Sequence, residues 1–127
     1  MKIDAHQHFW IYNQAEYGWI DNRMKVLRRN FLPEDLHPEL SGAGFSGSVA
    51  VQARQSVEET RWLLELSDQY DFIKGVVGWV DLCNEDEVKQ QLDEFCRSQK
   101  FVGVRHVVHD EPEDNFMLRD DFLKGIC

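Results

Sequence analysis

His6 and His8 stand two residues apart in the segment Asp4-Ala5-His6-Gln7-His8. On a strand that spacing sends both imidazoles to the same face. Two neutral imidazoles side by side can ligate one divalent cation or hydrogen-bond a bound carbonyl, although a catalytic metal ordinarily takes three protein ligands and a water. Gln52 and Arg54 repeat the spacing. There an amide can donate to a substrate oxygen and a guanidinium can pair with a carboxylate; the alternative is a solvated strand end. Arg105 and His106 follow the apolar run Phe101-Val102-Gly103-Val104, which delivers a charge at the tip of a buried strand. A guanidinium there suits an anionic or polyhydroxylated ligand, and the competing reading is a salt bridge to Asp110 or Glu111. For His109 a salt bridge to Asp110 or Glu111 is the favoured reading, and His37 reads as a surface histidine.

These residues need elements to hold them. Lys2–Ala5 reads as strand one, followed by a long aromatic loop from Phe9 to about Asn30 that carries Trp10, Tyr12, Tyr17 and Trp19. Loops of that length are commonly functional, so Trp10, Tyr12 and Trp19 either wall a pocket or pack over a strand end. Pro33 opens a short helix with Leu36 and Leu40 inward, kinked by Pro38 and closed by Gly42 and Gly44. Gly47–Ala53 reads as strand two. Ser56 with Glu59 has the spacing of a capping box, opening a helix to about Tyr70 with Leu63, Leu66 and Tyr70 on one stripe. Phe72–Val80 reads as strand three, with Trp79 and Asp81 at its end and Asp81 as a helix cap. Asn84 with Glu87 repeats the capping pattern before a third helix whose buried stripe is Val88, Leu92, Phe95 and Cys96. Phe101 to about Val108 reads as strand four, and Phe116–Leu123 as a fourth helix.

Strands alternating with helices argue for a parallel α/β sheet. Two architectures accommodate four such units, an open doubly wound sheet and half of a (β/α)8 barrel. The open sheet commonly carries a glycine-rich phosphate loop after strand one, and here no glycine occurs before Gly18. The barrel places its chemistry at the C-terminal strand ends, where this sequence puts its imidazoles and guanidiniums. A complete barrel takes about 250 residues, against 127 here. The expected architecture is therefore the N-terminal half of a (β/α)8 TIM barrel, about four β/α units in one partial domain over residues 1–127. Its open edges favour self-association.

Composition narrows the partners. Lys+Arg 14 against Asp+Glu 23 gives a net charge of -9, which argues against nucleic acid and anionic membrane surfaces. No apolar run reaches the roughly 18–20 residues of a membrane span. Cys83, Cys96 and Cys127 have no C-x-x-C spacing, in keeping with reduced thiols in the cytoplasm.

Asp4-Ala5-His6-Gln7-His8-Phe9-Trp10 resembles the strand-one signature of the amidohydrolase superfamily. Val51-Gln52-Ala53-Arg54 and Gly103-Val104-Arg105-His106, in the same order, are similar to its sugar-lactonase branch, which includes L-fuconolactonase and L-rhamnonolactonase and is related to 2-pyrone-4,6-dicarboxylate lactonase. The resemblance implies a (β/α)8 barrel that hydrolyses a sugar lactone or a related carboxylated substrate by water attack on the carbonyl. It makes His6 and His8 the catalytic histidines and ligands of a divalent metal such as zinc, which members of the branch differ in needing. It makes Gln52, Arg54, Arg105 and His106 substrate-binding. The family's further histidines, from strands five and six, and its general-base aspartate, from strand eight, have no counterpart among these residues, so the fragment alone is expected to be inactive. The alternatives are a metal-dependent decarboxylase of the same superfamily and a non-catalytic ligand- or metal-binding fragment.

Overall fold

The computed structural model describes residues 1–127. Four strands, β1 (Ile3–Gln7), β2 (Gly47–Val51), β3 (Ile73–Gly78) and β4 (Phe101–Val104), alternate with four helices, α1 (Pro33–Gly42), α2 (Val57–Gln69), α3 (Glu85–Phe95) and α4 (Asp120–Ile126). The strands lie in the order β1-β2-β3-β4 with every neighbouring pair parallel. Sequence order equals spatial order, so there is no switch point, and the arrangement is that of the first four strands of a (β/α)8 barrel. No helix is long and apolar enough to cross a membrane.

The sheet has two unlike faces. Ala50, Ile73 and Val76 are fully buried and pack with Leu63 and Leu66 of α2, Leu40 of α1 and Phe9. A second cluster joins Val88 and Phe95 of α3 to Val80. The opposite face is open: Val49 and Val77 are half-buried, Lys74 is exposed, and Val102 keeps 57% of its surface in solvent. Irregularities in register between Asp4 and Gln7, Ser48 and Val49, and Val76 and Val77 occur in all three ladders. A glycine is needed at 47, because a Cβ there would fall 2.5 Å from the Phe72 carbonyl oxygen.

Several local expectations shift. β1 begins one residue later than read and runs on to Gln7, so His6 lies within the strand and His8 just beyond it. α1 runs as one helix through Pro38. Its first turn tolerates Pro33, and the Asp35 carboxylate accepts the Leu32 N–H at 2.9 Å. The aromatic loop contains a 3-10 helix, Asn22–Leu27, capped by Asp21. Asp81 caps no helix; its carboxylate accepts the Cys83 N–H at 3.1 Å, and Asn84 caps α3. Cys96 is exposed, outside the buried stripe. The fourth helix divides at Arg119 into a 3-10 turn over Phe116–Leu118 and α4, because Arg119 takes an extended conformation.

Neither capping box closes. Ser56 and Asn84 accept the N–H groups of Glu59 and Glu87, but neither glutamate reaches back. Glu87 accepts instead from the Gln91 amide at 3.2 Å. Glu59 does something different, with consequences for the strand ends.

Candidate active site

The C-terminal ends of β1, β2 and β4 meet at a cleft of about 670 Å³ whose lining includes His8, Trp10, Trp19, Arg54 and Arg105. His6 and His8 project together as their spacing requires, with their Nε2 atoms 3.2 Å apart and their rings edge-to-face. His8 Nδ1 lies 2.8 Å from the Val51 carbonyl oxygen. A carbonyl only accepts, so Nδ1 carries the proton and Nε2 of His8 presents its lone pair. Burial holds the His8 pKa below the ordinary histidine value, and the neighbouring His6 and Arg105 push in the same direction against the Val51 bond.

The pair has the geometry of two metal ligands. Two nitrogens bound tetrahedrally to one zinc, each at about 2.0–2.1 Å, lie roughly 3.3 Å apart, close to the observed separation. The backbone bond to the far nitrogen of His8 is the usual orienting partner of a metal-bound imidazole. The pair fits as two ligands. No cluster of three or more His, Cys, Asp or Glu side chains suited to a metal occurs in the chain, so His6 and His8 supply only part of a coordination sphere.

Arg105 enters the cleft from the end of β4. Its backbone N–H bonds Gly78 O at 2.9 Å, and its Nη1 reaches Gln52 O at 3.4 Å. It forms no salt bridge; the expected partner Glu111 pairs with His106 instead. Most of its N–H donors thus remain free. Gln52, the substrate-contact candidate at the end of β2, is engaged with backbone. It is 0% exposed, and its Nε2 donates to Arg105 O at 3.1 Å. Gln52 and Arg105 therefore clasp the ends of β2 and β4 across β3 through one amide N–H, while the buried Gln52 Oε1 has no protein partner.

Arg54 lines the cleft but is bound on two sides, by Glu16 at 2.5 Å and by Glu59 at 3.6 Å. His106 turns away from the cleft. Its Nε2 lies 2.6 Å from Glu111, Trp79 donates to its Nδ1 at 3.3 Å, and Phe116 stacks on the ring. The bond from His106 holds the Glu111 carboxyl below the usual carboxylate range. His109 is exposed beside Asp110, and His37 is exposed and stacked on Phe72.

Sequence reasoning missed Glu59. Its carboxylate is 0% exposed and accepts the N–H groups of Ala53 at 2.9 Å and Arg54 at 2.7 Å, just past β2. The Tyr17 hydroxyl donates to its other oxygen at 3.5 Å. One buried carboxylate thus ties α2, the end of β2 and the aromatic loop together. Burial raises its pKa, against the opposing effect of those N–H bonds and the Arg54 charge. Beside it, burial and the Glu59 charge raise the Tyr17 phenol well above the ordinary tyrosine value. The acidic pair Glu58-Glu59 gave no signal for this, since either carboxylate belongs in the first turn of a helix.

A family model described as Amidohydrolase matches residues 3–124. The chain belongs to the amidohydrolase family. Among curated amidohydrolase relatives, it is 41% identical to an L-fucono-1,5-lactonase of Burkholderia multivorans, over all of this chain and 43% of that protein. A second L-fucono-1,5-lactonase, from Burkholderia ambifaria, is 35% identical over 91% of this chain and 40% of its own length. A zinc-bound crystal structure of a Burkholderia multivorans amidohydrolase superposes with a TM-score of 0.93 at 41% identity, covering 99% of this chain and 44% of that one. The chain therefore spans less than half the length of the relatives it matches. The sequence resemblance to the sugar-lactonase branch stands, and so does the α/β reading with its parallel strands.

Proposed function

We propose that residues 1–127 form one partial (β/α)8 domain that carries the carbonyl-polarising and substrate-orienting groups of a hydrolase opening a sugar lactone by water attack. The carrying observation is that His8, whose Nε2 lies 3.2 Å from that of His6, shares one cleft with Arg105, a guanidinium without a carboxylate partner. The names of the relatives support an aldonolactone as the substrate class.

In this reading His6 and His8 hold a divalent metal, zinc by analogy with the zinc-bound relative. Such a metal supplies Lewis-acid polarisation of a carbonyl oxygen. The bond from His8 Nδ1 to Val51 O fixes the tautomer that leaves Nε2 available. Arg105 donates its free N–H groups to substrate oxygens and meets the carboxylate that ring opening produces. Gln52 acts through Arg105 by fixing the strand end, and Arg54 forms the cleft wall with Glu16. The family resemblance assigns the base that takes the water's proton to an aspartate of strand eight, beyond these four units, so turnover by these residues alone is weak or absent. The three unpaired cysteines support a reducing, cytoplasmic setting.

The test is binding. L-fuconolactone added to the chain is expected to show saturation-transfer NMR signals. Arg105→Ala is expected to weaken binding by about 10–100-fold, the worth of one or two hydrogen bonds to a charged group, and Arg105→Lys by less. Lactone binding unaffected by Arg105→Ala would sink the proposal. The same reading predicts self-association through the free edges of β1 and β4 and the open sheet face. Sedimentation velocity should show dimers or larger species, and a monodisperse monomer at all concentrations would count against it.

A further inference from the structure

Trp19 keeps 51% of its surface in solvent although the residues around it are fixed. Tyr17 and Ile20, on either side, are each only 2% exposed. Arg28 binds the Ile20 carbonyl oxygen twice, through Nε at 3.1 Å and Nη2 at 3.0 Å. Trp10 and Phe31 exchange both backbone hydrogen bonds at 3.0 Å, and the Trp10 indole N–H donates to Arg29 O at 2.9 Å. The loop is thus anchored on both flanks of an indole that could have been tucked inward beside Tyr17. Instead it lines the cleft with Trp10 and Leu27, while Arg54, Arg105 and His8 line it with polar groups. An apolar surface and a cluster of hydrogen-bonding groups in one cleft match a ligand that is itself two-sided.

A closed sugar ring is such a ligand, with a rim of hydroxyls and a face of C–H bonds. We infer that Trp19 is a stacking platform that recognises the closed ring of the substrate and distinguishes it from open-chain forms. The inference rests on the lactone reading and adds a residue and a source of selectivity to it. Hydrolysis of the ring C–O bond converts a compact ring into a flexible chain without a continuous C–H face. The platform then loses its hold on the product while Arg105 retains only the carboxylate.

The test compares two neutral, stable probes, L-fucose (predominantly a closed ring) and its reduced open-chain form L-fucitol, by saturation-transfer NMR and calorimetry. The chain is expected to prefer L-fucose by about tenfold, the scale of one aromatic contact, with saturation strongest on the C–H protons of one ring face. Trp19→Ala should abolish the preference, and Trp19→Phe should restore part of it. The half-exposed position makes both substitutions compatible with the fold, which far-UV circular dichroism checks. Preference for L-fucose retained within twofold in Trp19→Ala overturns the platform and leaves the lactone reading intact. Failure of the unsubstituted chain to bind either L-fucose or L-fuconolactone overturns both.

Discussion

Glu59→Ala is expected to lower the stability of the chain by about 3–5 kcal/mol, the usual cost of removing one partner from a buried charged network. The physical reason is what stays behind. The N–H groups of Ala53 and Arg54 lose their acceptor, and Arg54 loses the buried half of its pairing while keeping exposed Glu16. A small domain commonly has only about 5–15 kcal/mol in total, so the loss should be plain in urea denaturation. Glu59→Gln separates the two contributions. Its amide oxygen can still accept both backbone N–H groups, but its NH₂ cannot pair with Arg54, so the expected loss is smaller. The pH dependence provides a second reading. Burial raises the Glu59 pKa in the folded chain above its unfolded value. The folded state therefore holds the proton more tightly, and the stabilisation linked to that proton is complete below the unfolded carboxyl pKa. It is lost as pH rises through the folded-state pKa. The stability of the unsubstituted chain should therefore fall relative to Glu59→Gln as pH rises over that window. Parallel pH profiles for the two proteins, or a neutral Glu59→Ala, would remove Glu59 from the role assigned to it.

Replacing His6 and His8 together with Asn is expected to abolish zinc binding at the strand ends. Each imidazole presents one Nε2 to the shared point, and the 3.2 Å separation leaves room for a single ion between them. His8→Asn alone should cost more than the roughly 10–100-fold that follows loss of an outer-shell partner, because a ligand itself is removed. Calorimetric titration with zinc after alkylation of the exposed Cys96 and Cys127 reads this without competition from exposed thiols. Zinc binding of equal affinity and stoichiometry in the doubly substituted chain would place the metal elsewhere. His6 is exposed and the packed core lies on the other face of the sheet, so the one contact at stake is the His8 bond to Val51 O, and far-UV circular dichroism of His8→Asn checks that the fold survives its loss.

Much of this was legible in the residue order. The i, i+2 spacing of His6 and His8 is sufficient to place two side chains on one face, because strand alternation has a period of two. The apolar runs at Val49–Val51 and Val76–Val77, separated by helical stripes such as Leu63 and Leu66, require parallel strands with covering helices. The absence of an early glycine loop separates a barrel-type order from a doubly wound one. Arg105 follows directly, as a charge that a buried strand must deliver to its tip.

Partnerships were not legible, because they depend on how strand ends and loops fold back in space, both for residues far apart in the chain, such as Gln52 and Arg105, and for residues only five or six apart, such as Glu59 with Arg54 and Ala53. Gln52 and Arg54 carry the same signal in sequence, yet the alignment of the β2 and β4 ends on either side of β3 gives Gln52 the Arg105 carbonyl and buries it, while Arg54 meets Glu16 from the aromatic loop. Arg105 and His106 are adjacent, but strand alternation sends one to the cleft and the other to an aromatic nest with Glu111. Glu59 has the local pattern of a capping residue, and only the approach of β2 to the first turn of α2 gives it two better donors. Local periodicity determined which residues form strands, which face each occupies and which charges reach the strand ends. Which of those charges stays free for a ligand was decided by tertiary packing, since a buried polar group takes the nearest partner that compensates its lost water, and that partner is set by the fold.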